Sequence, residues 1–153
     1  MVKKKILITG SNGFLGKLAV EHFSVNNELV LVALISSNNE NFYKADKENF
    51  EEIDLVITNE KPNIIFHFAS EIFDTHNKNK IYKTNVVGSK NIYTSAIKNN
   101  VENLIFTSTF SLFEKNYDYL INETEPISCK NYYGITKLEA ERERAQTAED
   151  LAS

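Results

Sequence analysis

Three glycines at steps of three, Gly10, Gly13 and Gly16, constrain this chain most, because they join two segments of different periodicity. Lys5 to Thr9 is a short aliphatic run that reads as a strand buried on both faces. After Gly13, Leu15, Leu18, Ala19, His22 and Phe23 recur at steps of three and four until Asn26 and Asn27, which predicts a helix with that inward face. A glycine turn between strand and helix lets backbone N–H groups approach an anion with no Cβ in the way, and the positive end of the helix dipole faces it.

The same alternation continues along the chain. Leu29 to Ile35 predicts a second buried strand, and Phe42 to Ala45 a short third one. Asp46 precedes a helix whose inner face carries Phe50, Ile53, Val56 and Ile57. Pro62 resets the chain before a fourth strand over Asn63 to Ala69. Ile81, Asn85, Ser89, Ile92 and Ala96 mark one side of a long helix ending near Asn99 and Asn100. A fifth strand begins at Leu104 and runs into Thr107-Ser108-Thr109. Phe110 to Lys130 reads as a long loop, and the chain is helical again from Tyr132. Strands alternating with helices predict an α/β fold, a Rossmann-type doubly wound parallel sheet in three layers. Leu138 to Ser153 is helical in propensity but almost wholly polar, which reads either as a solvated final helix or as the point where a larger fold is cut short.

Composition narrows the function classes. No apolar run is long enough to span a membrane, and the basic N-terminus is followed by too short an apolar stretch for a signal peptide, so a cytoplasmic address is expected. The single cysteine, Cys129, reads as an ordinary thiol and suits a reducing compartment. A net charge of −4 with scattered lysines gives nucleic-acid binding no electrostatic support, and no metal-ligand cluster stands out. His22 and His76 lack partner patterns, and His67 reads as structural.

Two motifs carry reaction chemistry. Tyr133 and Lys137 are four apart, hence on one face of a helix, and a lysine cation beside a phenol favours the phenolate. An unperturbed tyrosine titrates at about 10, so such a neighbour is what a tyrosine base needs near neutral pH. The hydroxyl-rich end of the fifth strand offers Thr107, Ser108, Thr109 and, in the loop beyond, Ser111.

Taken in order, TGSNGFLG at Thr9 to Gly16, Asp46, HFAS at His67 to Ser70, TNVVGS at Thr84 to Ser89, FTST at Phe106 to Thr109 and YGITK at Tyr133 to Lys137 resemble the extended short-chain dehydrogenase/reductase family. These are the NAD-dependent nucleotide-sugar epimerases and dehydratases; the G-x-x-G-x-x-G spacing points to them and away from the medium-chain dehydrogenases. The resemblance implies hydride transfer at a sugar carbon, with Thr109, Tyr133 and Lys137 catalytic. Ser108 competes with Thr109 for the hydroxyl role, and Thr107 and Ser111 stay open. It implies an NAD or NADP site formed by Gly10, Gly13, Phe14, Leu15 and Gly16 at the pyrophosphate and Ser36 and Ser37 at the ribose. Asp46 and Lys47 would border the adenine, and Phe68, Ala69 and Ser70 would line the dinucleotide, with Tyr133 and Lys137 at its reactive end. Asn85 would hold the backbone near the active site.

The ribose position departs from the pattern, since Ser36 to Asn39 stand where an NAD-preferring member carries an acid, and cofactor preference stays open. Family members are considerably longer than 153 residues, so residues 1–153 read as the NAD(P)-binding domain without the substrate domain. An uncovered sheet edge would then favour a homodimer. Besides a nucleotide-sugar enzyme, the sequence admits a non-catalytic NAD(P)-binding module and a small carbonyl reductase.

Overall fold

A computed structural model describes residues 3–35, 41–72, 77–113 and 118–152. Five parallel strands form one sheet in the order β3-β2-β1-β4-β5: β1 Lys5–Thr9, β2 Glu28–Ala33, β3 Phe42–Lys44, β4 Ile64–His67 and β5 Asn103–Phe106. β1 lies in the middle, with Ile6 opposite Leu29 on one side and Ile64 on the other. The chain leaves β1 toward β2 and β3, then crosses to β4 and β5, so the crevice at the C-terminal ends of β1 and β4 is the topological switch point where open α/β sheets bind ligands.

Side chains along β1 alternate between two cores. Leu7 joins Val30, Val32 and Ile65 beneath α2 (Phe50–Glu60) and α4 (Gly88–Lys98), where Ile53, Val56, Ile57, Ile92 and Ala96 are buried. Ile6 and Ile8 join Leu29 and Leu31 beneath α1 (Phe14–Phe23) on the other face. These are the three layers expected. The β2 and β4 strands are shorter than the apolar runs suggested, because Leu34 and Ile35 leave the sheet into solvent and residues 68–70 turn toward the crevice.

The long helix is interrupted. α3 (Lys78–Tyr82) passes through a π turn, Lys83–Val87, before α4 continues it. All five residues expected on its inner face, Ile81, Asn85, Ser89, Ile92 and Ala96, are buried. One π turn inside an α-helix commonly marks a functional site, and this one contains Asn85.

Two expectations need correction. In α1, Leu15 and Leu18 are 48% and 50% exposed and His22 is exposed; the helix instead rests on Gly16 and Ala19, with Val20 and Phe23 packed behind them. Gly16 has no side chain to register in an apolar pattern, so the true contact stripe is displaced from the one that the leucines trace. The final helix α5 (Tyr132–Ala152) is not merely solvated. Thr136, Lys137, Ala140 and Thr147 are buried, and the helix packs along α4 and the π turn. Its inner face is made of small and polar residues, which a count of large apolar side chains misses. No helix of the described residues is long and apolar enough to cross a membrane.

Candidate active site

The glycine turn is tight enough to require its residues. Gly10 has φ +69°, a left-handed conformation, and a Cβ there would lie 2.7 Å from the Ala69 nitrogen. A Cβ on Gly16 would lie 2.2 Å from the Gly10 carbonyl oxygen, so only glycine lets α1 start this close to β1. Gly10 N–H donates to Val32 O at 2.9 Å, and Gly13 N–H to Gly10 O at 2.9 Å, which fixes the loop's shape. Gly13 caps α1 with no side-chain hydrogen bond, so the first-turn N–H groups, at Phe14 and Leu15, are left for solvent or an anion. The Phe14 and Leu15 side chains point outward.

A cleft of about 680 Å³ opens from this turn across the C-terminal ends of β1, β2 and β4. It is bounded by Gly10 and Gly13, by Leu34 and Ile35 beyond β2, by Asp46 and Lys47 beyond β3, and by Phe68, Ala69 and Ser70 beyond β4. The structure thus brings the expected pyrophosphate, adenine and β4 positions to one crevice. Ser36 and Ser37 lie outside the described residues. Sequence reasoning missed Asn12, whose amide donates to Ile35 O at 2.9 Å and holds the end of β2 beside the turn. It also missed Glu48, which accepts from the Thr84 hydroxyl at 2.5 Å, and the Glu71–Lys80 pair, at 3.5 Å, on the cleft wall.

Asn85 is a four-way clamp. Its Oδ1 accepts from Glu71 N–H at 2.8 Å and Ser70 Oγ–H at 3.1 Å, while its Nδ2 donates to Glu71 O at 2.9 Å and Thr136 Oγ1 at 3.2 Å. The loop after β4 is thereby tied to α5, one residue before Lys137. Beneath it, His67 is fully buried and links β1 to α4. Ser89 Oγ–H donates to Asn85 O at 2.6 Å, so its oxygen accepts from His67 Nε2–H at 2.9 Å, and His67 Nδ1 accepts from Thr9 Oγ1–H at 2.6 Å. Burial, reinforced by the Lys47 and Lys137 charges, holds the imidazole well below its ordinary pKa and hence neutral. His67 is structural, joining β1, β4 and α4, although it stands in the motif that lines the dinucleotide.

The start of α5 meets the end of β5. A Cβ on Gly134 would lie 2.8 Å from Ser111 O, so the residue after Tyr133 must be small for the helix to approach this closely. Thr109 caps the 3₁₀ turn Phe110–Leu112, its Oγ1 accepting from Ser111 N–H at 3.1 Å. Its hydroxyl hydrogen is therefore free to point elsewhere. Thr107 is committed differently, donating to His67 O at 3.3 Å, and Ser108 is exposed. Tyr133 is half-buried one turn before Lys137, which is 2% exposed with its ammonium 3.9 Å from the centroid of the Phe106 ring. Burial pushes Lys137 down to about 8, opposed by Glu141. Lys47 and Lys137, with His67 neutral between them, place two buried lysines beneath a crevice that an anionic ligand would suit.

Known proteins bear on this arrangement. Residues 6–150 match the family model described as the NAD dependent epimerase/dehydratase family, and the chain belongs to that family. Among curated relatives, UDP-glucose 4-epimerase of Halalkalibacterium halodurans is 24% identical over 90% of this chain and 44% of its own length. Human sterol-4-alpha-carboxylate 3-dehydrogenase (decarboxylating) is 31% identical over 91% of this chain and 39% of its own. The chain spans under half the length of these relatives. A solved UDP-glucose 4-epimerase from Thermotoga maritima, crystallised with UDP-glucose, superposes with a TM-score of 0.86 at 28% identity, over 95% of this chain and 52% of that one. The Bordetella bronchiseptica enzyme WbmG in complex with NAD has the same fold, with a TM-score of 0.87 at 22% identity, over 95% of this chain and 50% of that one.

Proposed function

We propose that the crevice holds NAD or NADP and that this domain serves a nucleotide-sugar epimerase or dehydratase working by hydride transfer at a sugar carbon. The observation that carries the reading is the glycine turn: three positions where a Cβ would meet backbone, opening onto a helix N-terminus with no side-chain cap. A pyrophosphate needs close backbone approach and free N–H donors, and both are present.

When bound, NAD(P)⁺ supplies the hydride acceptor. Tyr133 takes the proton of the substrate hydroxyl as its carbon gives up hydride. Thr109, its oxygen already accepting from Ser111 N–H, donates its hydroxyl hydrogen to the same substrate oxygen and orients it. Lys137 supplies the cation that favours the Tyr133 phenolate. Asn85 positions the Ser70–Glu71 backbone against α5. The nucleotide-sugar substrate is supported by the UDP-glucose 4-epimerases among the relatives, and assembly as a homodimer belongs to the same proposal. A second reading, oxidation of a carbinol or reduction of a carbonyl on a different scaffold, is favoured by the 31% identity to the sterol dehydrogenase.

Titrating the chain separately with NADH and NADPH, followed by nicotinamide fluorescence without background from tryptophan, tests the cofactor site. Saturable binding is expected. Gly13→Asp should weaken it at least about tenfold, or 1.4 kcal/mol, because the new carboxylate occupies the anion's place at the helix N-terminus. A folded chain that binds neither cofactor overturns the proposal. Cofactor reduction with UDP-, GDP-, CDP- or dTDP-sugars, measured against sterol and simple alcohol substrates, separates the two readings.

A further inference from the structure

Lys47 is only 6% exposed although it lies on the wall of the cleft. Its stem runs under α4 through space that only a glycine leaves: a Cβ on Gly88 would lie 2.8 Å from Lys47 Cγ and 3.1 Å from Cε. Its Nζ donates to Ala69 O at 2.6 Å, and Asn91 Nδ2 donates to the carbonyls of Lys47 and Glu48 at 2.9 and 3.2 Å, fixing the backbone that carries it. Among the described residues the Ala69 carbonyl is its one hydrogen-bond acceptor, and no carboxylate forms an ion pair with it. A lysine so enclosed, with one of three donors used and no ion pair, is costly to charge.

We propose that Lys47, whose Nζ reaches Ala69 beside Gly10 of the phosphate turn although its backbone stands at the adenine position, is the buried counter-charge for the dinucleotide's phosphates, and that filling the cleft draws a proton onto it. This deepens the reading of the crevice as a dinucleotide site and rests on it. The charged surroundings of Lys47 are mixed. Asp46 and Glu48 flank it, Lys137 repels it from α5, and neutral His67 approaches from β4. Across the cleft, Glu71 and Lys80 are paired, while Glu51 and Glu52 stand in the first turn of α2 and α4 offers only Gly88 and Asn91. Burial first, then Lys137, pushes Lys47 down to about 7, against Asp46 and Glu48. At neutral pH an entering dianion therefore meets a lysine that is partly deprotonated, and its field shifts that equilibrium toward the ammonium.

The test is calorimetry of NADH binding in two buffers of different ionisation enthalpy, with Kd followed against pH. At pH 7.5 the chain is expected to take up roughly one proton per NADH, of which Lys47→Met keeps about a quarter, the share of Lys137. From pH 6.5 to 8, Lys47 contributes a roughly eightfold rise in Kd and Lys137 about twofold, so Lys47→Met should retain only the twofold part. Lys47→Arg, charged throughout, should bind with the same shallow slope and serves if the Met variant fails to fold. Undiminished uptake and slope in these variants overturn the role of Lys47 while leaving the cofactor site standing. Failure of the folded parent chain to bind NADH at all overturns both.

Discussion

Tyr133→Phe is expected to lower turnover by about 10²–10⁴-fold while leaving the Kd for NADH within about twofold, because it removes the proton acceptor and leaves the glycine turn and cleft walls untouched. The expectation follows from where α5 begins. Gly134 lets the helix come down onto Ser111, which sets Tyr133 beside the turn that Thr109 caps. Lys137 stands one helical turn further, its ammonium over Phe106 at the end of β5. The aromatic ring itself is kept in the variant, so packing at the start of α5 is preserved. Single-turnover kinetics with whichever substrate the parent chain converts, alongside a fluorescence titration, measure the two quantities separately. Turnover within about threefold of the parent would remove Tyr133 from the mechanism.

Raising the pH from 7 to 9 is expected to stabilise the free chain by about 3–4 kcal/mol through Lys47 and Lys137, opposite to the usual behaviour of a paired lysine. Both have folded-state values below the ordinary 10.5, about 7 for Lys47 and about 8 for Lys137. Between those values and 10.5 the unfolded chain binds more protons than the folded one, so unfolding free energy rises with pH across that window. At pH 7 the unfolded lysine is charged and the buried one resists charging. Lys47→Met is therefore expected to stabilise the free chain there by about 3 kcal/mol, after allowing for the unpaired Ala69 carbonyl. Urea unfolding of both chains at several pH values measures this. Equal pH slopes for parent and Lys47→Met would refute it, as would a less stable variant at pH 7. Read with the proton uptake expected on cofactor binding, Lys47 costs stability in the free fold and returns it when an anion is bound.

Much of the fold was legible because parallel strands buried on both faces are written as unbroken aliphatic runs, and Ile6 to Ile8 and Leu29 to Val32 are such runs. The inner face of the long helix was legible for a different reason. Its polar members, Asn85 and Ser89, fall at helical spacing with Ile81, Ile92 and Ala96, and each polar group finds a partner inside. The contact faces of α1 and α5 were not legible, since they are built from Gly16 and Ala19 in one and Thr136, Ala140 and Thr147 in the other. At the candidate site, motif order pointed to Gly10, Gly13, Gly16 and Asn85 by residue type. It could not tell that Lys47 is buried, because its stem lies in a channel opened by Gly88, forty-one residues away. Nor could it foresee the meeting of Gly134 with Ser111, which depends on how α5 lies against the end of β5.

The π turn at Lys83–Val87 has a consequence for how this segment tolerates change in length. A π turn is an α-helix carrying one residue too many, and here the surplus is absorbed at the point where Asn85 leans across to Ser70, Glu71 and Thr136. Deleting one residue from the turn would restore a regular helix while α3 and α4 keep the faces they present now, so Ile81 would stay in the core. What would go is the local bulge that carries Asn85 to Ser70, Glu71 and Thr136. The segment should thus fold at either length, and the surplus residue is kept for the reach of one side chain.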